Sequence, residues 1–319
     1  MDTPFLVKKV QNFIDKLSAT GGKPLYEMSY GEARSFLQEM QSERKIFADN
    51  EVLDADVKVS GGYKMPLKIV RPKNVVGKMP VIFYIHGGGW VMGNYATHER
   101  LVNELVSQTQ AAVVFPVYMQ SPESQFPQTT DNLFEALRHV VLHADEYNFD
   151  KDNLIVAGDS VGGNMALVMA LLAKQQASEP RIKFMLLLYP VAGADLTTES
   201  YKEFAEGPWL TQKAMQWFWD AYAPSELQRE SILACPLRAT LEELEGLPPA
   251  LIITAENDVL RDEGEAMARK LDAAGVETAS VRINGTIHDF LMLDALQNTA
   301  PSKEGMAVAV KALKQAVHR

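Results

Sequence analysis

The chain lacks the features that mark secreted and membrane-spanning proteins. Its 319 residues include one cysteine, Cys235, so no internal disulfide can form. The longest apolar stretches, 166–173 and 184–194, are well short of the ~20 residues that cross a bilayer. The N-terminus shows no basic segment followed by an apolar run and a small-residue cleavage site. We therefore expect a soluble protein in a reducing cytoplasm.

Positive charge is also scarce. Lysine and arginine total 31 against 41 aspartates and glutamates, which gives a net charge of -10. Such a field repels phosphate backbones and anionic lipid surfaces. We expect neither nucleic acid nor membrane insertion among the partners. A hydrophobic content of 47% in a chain of this length predicts one large core with an accessory piece.

Helical and β-rich segments follow one another in a regular order. The first fifty residues predict two amphipathic helices, the second with a capping-box spacing from Ser29 to Glu32. Short β-rich runs then alternate with helices, which predicts an α/β fold with a mostly parallel twisted sheet flanked by helices. The predicted strands lie at 81–85, 112–117, 154–157, 184–189, 251–254 and 280–283. The predicted helices lie at 99–108, 128–146, 163–175, 263–274 and from 303 onward.

An aromatic segment at 192–222 interrupts this alternation between two predicted sheet strands. An inserted lid is one interpretation of it. A helix whose aromatic side chains fill the core is the other, because aromatic stripes often serve packing. The sequence leaves both open. The aromatic residues concerned are Trp209, Trp217, Phe218, Trp219 and Tyr222.

The strand predicted at 154–157 leads into the pentapeptide G-D-S-V-G, and a helix follows. Strand, sharp turn and helix are the context of a nucleophile elbow. Gly158 and Gly162 flank the turn, where side chains on both sides of a strained apex would collide. Ser160 is therefore the candidate nucleophile.

A serine hydroxyl needs a base to remove its proton, and histidine suits that role at neutral pH. In folds that carry a nucleophile elbow above a parallel sheet, the catalytic histidine follows the nucleophile along the chain. This order excludes His86 and His98 among others. His288 and His318 come after Ser160, but His318 is the penultimate residue and is expected to fray. His288 is the predicted general base.

The spacing of His139 and His143 could in principle hold a metal, since residues at i and i+4 share one helix face. Further ligands are missing nearby. A solvated helix face is the better interpretation, and no metal is expected.

The carboxylate that orients the histidine should come from the loop after the strand at 251–254. Glu256, Asp258, Asp262 and Glu263 are available. Asp262 stands where the next helix begins and is predicted to be its N-cap. Asp258 lies free in the loop and is the predicted third member of a catalytic triad.

Three glycines, Gly87 to Gly89, follow the strand predicted at 81–85. Glycines in a row let the backbone approach a ligand with its N–H groups exposed, as a tetrahedral oxyanion requires. The run lacks the lysine and hydroxyl residue of a P-loop and the spacing of a dinucleotide fingerprint. No cofactor is expected. His86, just before the run, is predicted to be a structural hydrogen-bonding residue.

Four motifs together resemble the hormone-sensitive-lipase family of bacterial serine esterases, over about residues 81–290. They are 86–90, 158–163, 258–264 and the loop at His288. The resemblance implies an α/β-hydrolase fold with a helical cap, and oxyanion donors at the N–H groups of Gly88, Gly89 and Val161. It also implies a division into an N-terminal cap part at 1–50, core at 51–191, a cap insertion at 192–230 and core at 231–319.

The sequence departs from the family pattern at three places. The usual Y-R-L-A-P-E appears at 118–123 with Met119 in place of arginine. The usual Gly-Phe after the histidine is Asp289-Phe290, which puts an extra carboxylate near the base and favours its charged form. Cys235 stands where the family often has serine, and nothing indicates that it is reactive.

A serine carboxylesterase acting on short-chain acyl esters is the predicted function, with acyl groups of about two to six carbons. A small-molecule ester is the expected partner, and a homodimer is left open. An amidase or arylformamidase on the same triad is an alternative. A receptor like the plant gibberellin receptors, which lack the triad histidine, is disfavoured by His288. The predicted pocket residues are Trp90, Tyr189, Trp209, Phe218 and Ile287.

Overall fold

The computed structural model describes residues 4–42, 46–176 and 179–317. Eight strands form one sheet in the order β1-β2-β4-β3-β5-β6-β7-β8. Neighbouring strands from β4 through β8 run parallel, while β2 is antiparallel to both β1 and β4. The strands are β1 Asn50–Lys58, β2 Lys64–Pro72, β3 Met79–Ile85, β4 Ala112–Pro116, β5 Phe149–Asp159, β6 Ile182–Leu188, β7 Ala250–Asn257 and β8 Thr278–Ile287.

Helices connect the parallel strands, as expected when a crossover must return the chain to the same edge of the sheet. The α-helices are α1 Lys8–Ala19, α2 Tyr30–Met40, α3 Tyr95–Thr109, α4 Gln128–Leu142, α5 Ala144–Tyr147, α6 Val161–Lys174, α7 Glu199–Glu203, α8 Gln212–Tyr222, α9 Glu226–Glu230, α10 Leu241–Leu244, α11 Arg261–Ala273 and α12 Ala300–Val317. Single 3₁₀ turns lie at Leu25–Glu27, Ser60–Gly62, Pro236–Arg238 and Asp294–Leu296.

The predicted α/β-hydrolase architecture is confirmed. The six predicted strands correspond to β3 through β8, whose runs are almost entirely buried in β3, β4 and β7. Burial on both faces is what produces near-continuous apolar sequence in a parallel sheet. Among the described residues, none of the helices combines the length and apolarity that spanning a bilayer requires.

Local signals predicted some boundaries and missed others. The capping box at Ser29 is present, with the Glu32 N–H donating to Ser29 Oγ and the Ser29 N–H donating to the Glu32 carboxylate. The helix predicted at 128–146 is two helices, because the chain turns at His143. The β1–β2 hairpin was not predicted, since much of β1 is exposed and its sequence carries little apolar signal.

The N-terminal helices and the aromatic segment at 192–222 contact each other. The rings of Phe13 in α1 and Trp209 have centroids 5.8 Å apart, and those of Tyr30 in α2 and Trp217 are 5.0 Å apart. Contacts of this kind between aromatic rings stabilise an interface by about 0.5–1.5 kcal/mol each. Two segments distant in sequence thus pack together over the same region of the core.

Candidate active site

The predicted site residues meet at one edge of the sheet. Ser160 follows β5, Asp258 follows β7, His288 follows β8, and the glycine run follows β3. Parallel strands place their carboxyl ends on the same side, which is where ligands bind in sheets of this kind. His318 lies outside the described residues.

Ser160 occupies a backbone conformation that few side-chain-bearing residues adopt, with φ 53° and ψ -121°. A Cβ on Gly158 would come within 2.3 Å of the Gly162 carbonyl carbon, and one on Gly162 within 1.9 Å of the Ile85 carbonyl oxygen. Only glycine fits at both positions. The turn therefore holds Ser160 at a strained apex between β5 and α6, as the pentapeptide predicted.

Three buried side chains form a hydrogen-bonded series. His288 Nε2 lies 2.9 Å from Ser160 Oγ, and His288 Nδ1 lies 2.7 Å from Asp258 Oδ2. The second carboxylate oxygen of Asp258 accepts a hydrogen bond from the Leu260 N–H at 3.0 Å. This backbone contact fixes the carboxylate, and the carboxylate fixes the ring of His288.

Charges around His288 change its affinity for a proton. Burial by itself would lower the pKa of His288, but the carboxylates of Asp258 and Asp289 outweigh it and raise that pKa to about 9. The sequence predicted that an extra carboxylate would favour the charged form of the base, and the raised pKa of His288 agrees with that prediction. The extra carboxylate of Asp289 lies 3.4 Å from His288 Nε2, through its Oδ1.

The prediction that Asp262 is an N-cap is wrong. Helix α11 begins at Arg261, so Asp262 is already helical. Its carboxylate instead accepts hydrogen bonds from the Ser200 N–H at 2.7 Å and from Arg261 Nε at 2.9 Å. Asp262 thus ties α11 to α7 and makes no contact with His288.

Asp159 was not singled out from the sequence, although it lies beside Ser160 in the pentapeptide. Its fully buried carboxylate accepts hydrogen bonds from the Tyr84 hydroxyl at 2.7 Å and the Gly87 N–H at 3.0 Å, and lies 3.2 Å from His98 Nε2. Burial alone would lower the pKa of His98, but the charge of Asp159 outweighs it and raises that pKa. Asp159 therefore anchors the glycine run to the turn that carries Ser160.

His86 has the structural place that the sequence predicted. Its Nδ1 lies 2.8 Å from the Gly87 carbonyl oxygen, and its ring stacks on Tyr118 with centroids 4.3 Å apart. Burial lowers the pKa of His86 to about 3, so the ring is neutral at ordinary pH.

The glycine run presents free backbone donors next to Ser160. Gly88 has φ 105° and Gly89 has φ 64°, and neither donates a hydrogen bond to another residue of the described chain. Both line the same cavity as Ser160. Val161 is the first residue of α6, so its N–H has no acceptor within the helix.

Arg34 of α2 contacts the segment where the family pattern has an arginine and this chain has Met119. Arg34 donates to the Val91 carbonyl through Nε at 2.9 Å, to the Ser121 carbonyl at 2.9 Å, and to both oxygens of Glu123. An arginine from a distant segment thus supplies a guanidinium to this loop and holds α2 against the core.

A mainly apolar cavity of about 180 Å³ lies above Ser160. Its floor includes Gly88, Gly89, Ser160 and His288. Its walls come mainly from the N-terminal segment and the aromatic segment, with Met92 and Asp289 from the loops after β3 and β8. The wall residues are Leu17, Thr20, Gly22, Lys23, Pro24, Leu25, Met28, Phe36, Leu37, Met92, Trp209, Leu210, Met215, Phe218 and Asp289.

Two of the five predicted pocket residues, Trp209 and Phe218, line the cavity, and three do not. Trp90 is fully buried and stacks on Tyr222 with ring centroids 4.1 Å apart. Tyr189 is buried with its ring edge-on to His288, and Ile287 is fully buried. The prediction that these three line the pocket is wrong, because packing in the core occupies their side chains.

The aromatic segment contributes side chains to both the cavity and the core. Trp209 and Phe218 face the cavity, while Trp219 and Tyr222 are fully buried against Trp90. Helix α8 therefore contributes one aromatic face to the cavity and another to the core.

The fold and the hydrogen-bonded series of serine, histidine and aspartate define a hydrolase of the α/β type. A family model described as "alpha/beta hydrolase fold" matches residues 82–292. The chain belongs to this family, within its hormone-sensitive-lipase-like group, and the resemblance inferred from the motifs is confirmed.

Similar proteins with esterase names cover nearly the whole chain. The crystal structure of a thermostable esterase from Pseudomonas putida ECU1011 is 45% identical, with a TM-score of 0.95 and coverage of 99% of both chains. Carboxylesterase NlhH of Mycobacterium tuberculosis is 34% identical over 90% of this chain and 89% of that protein. The ethyl acetate hydrolase of Pseudomonas putida is 30% identical over 92% of both. With the site geometry, these relatives identify the chain as a carboxylic ester hydrolase.

Proposed function

We propose that the protein hydrolyses esters of short acyl chains through an acyl-enzyme intermediate on Ser160. The observation that carries the proposal is the hydrogen-bonded series from Asp258 through His288 to Ser160 at the floor of a small apolar cavity. A 150 Å³ apolar cavity holds a benzene molecule, so about 180 Å³ suits a small acyl or alcohol group rather than a fatty acyl chain.

In the first half-reaction, Ser160 Oγ attacks the ester carbonyl carbon while its proton moves to His288 Nε2. The negative charge that forms on the carbonyl oxygen is stabilised by the N–H groups of Gly88, Gly89 and Val161. The bond between the acyl carbon and the leaving oxygen then breaks, and Nε2 returns the proton to the leaving alcohol. Asp258 holds the ring of His288 in the tautomer and orientation that these transfers require.

In the second half-reaction, water replaces the alcohol. It attacks the acyl carbon, its proton passes to His288 Nε2, and collapse of the intermediate releases the carboxylic acid. The same proton returns to Ser160 Oγ. The site is thereby restored without any change of redox state.

We also propose that α1, α2 and the segment at 192–230 form a cap over this site, because all three contribute residues to the cavity walls.

The relatives' names favour esters over amides as substrates. His288 is present and hydrogen-bonded to Ser160, which favours catalysis over a receptor role. Location in the cytoplasm and homodimer formation stay predictions. Light scattering of the purified protein would test homodimer formation.

Trapping of the intermediate tests the mechanism. After rapid mixing with p-nitrophenyl acetate and acid quenching, we expect the peptide that contains Ser160 to carry one acetyl group, with an initial burst of p-nitrophenol. Ser160→Ala should show neither the burst nor the mass increase, with a native circular dichroism spectrum. Acetyl transfer to another residue, or a folded Ser160→Ala with more than a few per cent of the normal rate, would contradict the proposal.

A further inference from the structure

Asp289 brings an incompletely satisfied carboxylate to the cavity. Its Oδ2 accepts a hydrogen bond from Trp209 Nε1 at 3.0 Å. Its Oδ1 is buried and has no hydrogen-bond partner among the described residues, although His288 Nε2 lies 3.4 Å away. The residue is 9% exposed and lines the cavity beside Ser160. A buried carboxylate oxygen without a donor is costly, so a donor from the substrate would be favourable there.

No positively charged side chain among the described wall residues pairs with the carboxylate of Asp289. Lys23 is the other charged side chain among the wall residues that the structure describes, apart from the titratable His288. The Lys23 side chain is 65% exposed, and its Nζ lies 3.9 Å from Glu32 Oε1. Two carboxylates, Asp258 and Asp289, flank the single imidazole of His288. Burial raises the pKa of Asp289, so its negative charge is costly in this site, and a positive charge from a bound molecule would offset that cost.

Asp289 lies where the alcohol half of a bound ester would be close to its carboxylate. To receive its proton, the leaving oxygen must approach His288 Nε2 to about 3 Å. Because Asp289 Oδ1 is 3.4 Å from the same nitrogen, the leaving oxygen and Oδ1 are at most about 6 Å apart. A donor attached through two carbons to the ester oxygen can span that separation. The rings of Trp209 and Phe218 line the same cavity, and aromatic faces also attract cations.

We propose that Asp289 selects the alcohol part of the substrate, and that the preferred esters are those of short amino alcohols with a protonated amine two carbons from the ester oxygen. This inference rests on the proposed esterase function. The ammonium group donates its hydrogen bond to Asp289 Oδ1 and supplies the missing positive charge. Alcohols that carry a carboxylate at that position are disfavoured for the same reason.

A pair of substrates with the same shape tests the proposal. 2-(Dimethylamino)ethyl acetate and 3-methylbutyl acetate differ by a protonated nitrogen in place of a carbon. At neutral pH we expect kcat/KM to be higher for the amino ester by about 10-fold or more, and Asp289→Asn to reduce this ratio by about 10- to 100-fold. Because both esters use the same His288, any change in its pKa cancels in the ratio.

Glu32→Gln is the matched control, since Glu32 is an exposed carboxylate next to Lys23 at the cavity wall. We expect it to change the ratio by less than about threefold, as removal of a screened surface charge does. Inhibition of the unmodified enzyme by the two free alcohols is a second measurement. 2-(Dimethylamino)ethanol should inhibit more strongly than 3-methylbutanol.

Three results would overturn the inference. One is equal kcat/KM for the two esters, another is a ratio that Asp289→Asn leaves unchanged, and the third is equal inhibition by the two alcohols. In each case continued hydrolysis of 3-methylbutyl acetate leaves the proposed function standing. Failure of the unmodified enzyme to hydrolyse either ester would instead overturn the proposed function, and this inference with it. If Asp289→Asn does not fold, Asp289→Gly replaces it, because φ at this position is 63° and suits glycine.

Discussion

The ring of Phe218 in α8 lies directly against the backbone of Gly89. A Cβ atom built on Gly89 would lie 2.1 Å from Cδ1 of Phe218, which is closer than any real contact between carbon atoms. A cavity-wall side chain from the aromatic segment therefore rests on the loop that presents the backbone donors. Residue 89 must therefore be glycine for two reasons: a side chain would collide with Phe218, and its φ of 64° is one that glycine adopts without strain.

Gly89→Ala should therefore disturb both the loop and the cavity wall. We expect turnover of a short-chain ester to fall by about 10²- to 10³-fold, the effect of losing one oriented oxyanion donor. Steady-state kinetics with p-nitrophenyl acetate would measure it.

Gly193→Ala is the matched control, because a Cβ there meets its nearest atom at 3.7 Å. That variant should keep its activity. Adding Phe218→Ala to Gly89→Ala should restore part of the rate by removing the collision, although the strained φ remains. A Gly89→Ala enzyme with normal turnover would show that this N–H does not stabilise the oxyanion.

Asp258 and Asp262 are four residues apart and should respond differently to the same substitution. We expect Asp258→Asn to lower kcat by on the order of 10⁴-fold, because the amide would favour the wrong tautomer of His288. Asp262→Asn should leave kcat nearly unchanged and lower the melting temperature, since Asp262 binds the Ser200 N–H and Arg261. A large loss of kcat in Asp262→Asn with little loss in Asp258→Asn would show that Asp262, and not Asp258, orients His288.

The sequence was sufficient for the parts of the molecule that depend on local chemistry. Glycines at 158 and 162 are required by close backbone approaches within a single turn. Chain order excluded the histidines before Ser160, and a position free in the loop after β7 favoured Asp258. The parallel strands could be predicted because burial on both faces makes each of them a continuous apolar run.

Contacts between distant segments could not be predicted in the same way. Arg34 binds Glu123 across 89 positions of sequence, and no local pattern in α2 indicates that pairing. Trp90 was expected in the pocket, yet it stacks on Tyr222. For a large aromatic residue, the choice between a cavity and the core depends on packing partners that only the folded chain supplies.

The pH dependence should reflect the two carboxylates near His288. Its pKa is raised to about 9, and the neutral ring is the form that accepts the serine proton. Activity should therefore rise with pH and continue to rise above the ordinary histidine pKa of ~6.5. Asp289→Gly should move the midpoint of the kcat/KM profile to lower pH, because one negative charge beside Nε2 is removed.

Asp54→Asn is a suitable control for this measurement, since the Asp54 side chain is 72% exposed and pairs with Lys68 on the β1–β2 hairpin. Its profile should overlay that of the unmodified enzyme. A midpoint in Asp289→Gly that does not move would mean that Asp289 has no electrostatic effect on the base.

The size of the cavity should limit the acyl chain. Each methylene that the cavity buries adds ~0.8 kcal/mol to binding, about fourfold in kcat/KM, until the space is full. With about 180 Å³ available, we expect the best acyl groups to have about two to six carbons, and emulsified long-chain triglycerides to be poor substrates. Initial rates across p-nitrophenyl esters of increasing acyl length would locate the optimum.

Phe218 should set that limit, because its ring occupies the wall next to Gly89. Phe218→Leu removes ring volume while keeping an apolar side chain, so the optimum should shift to longer acyl groups as the freed space is filled. Phe5→Leu is the matched control, since it makes the same change at a residue that is 64% exposed and is not among the wall residues; its profile should keep the original optimum. If Phe218→Leu also retains the original optimum, the acyl group lies elsewhere in the cavity, and Phe218 acts only through its contact with the glycine run.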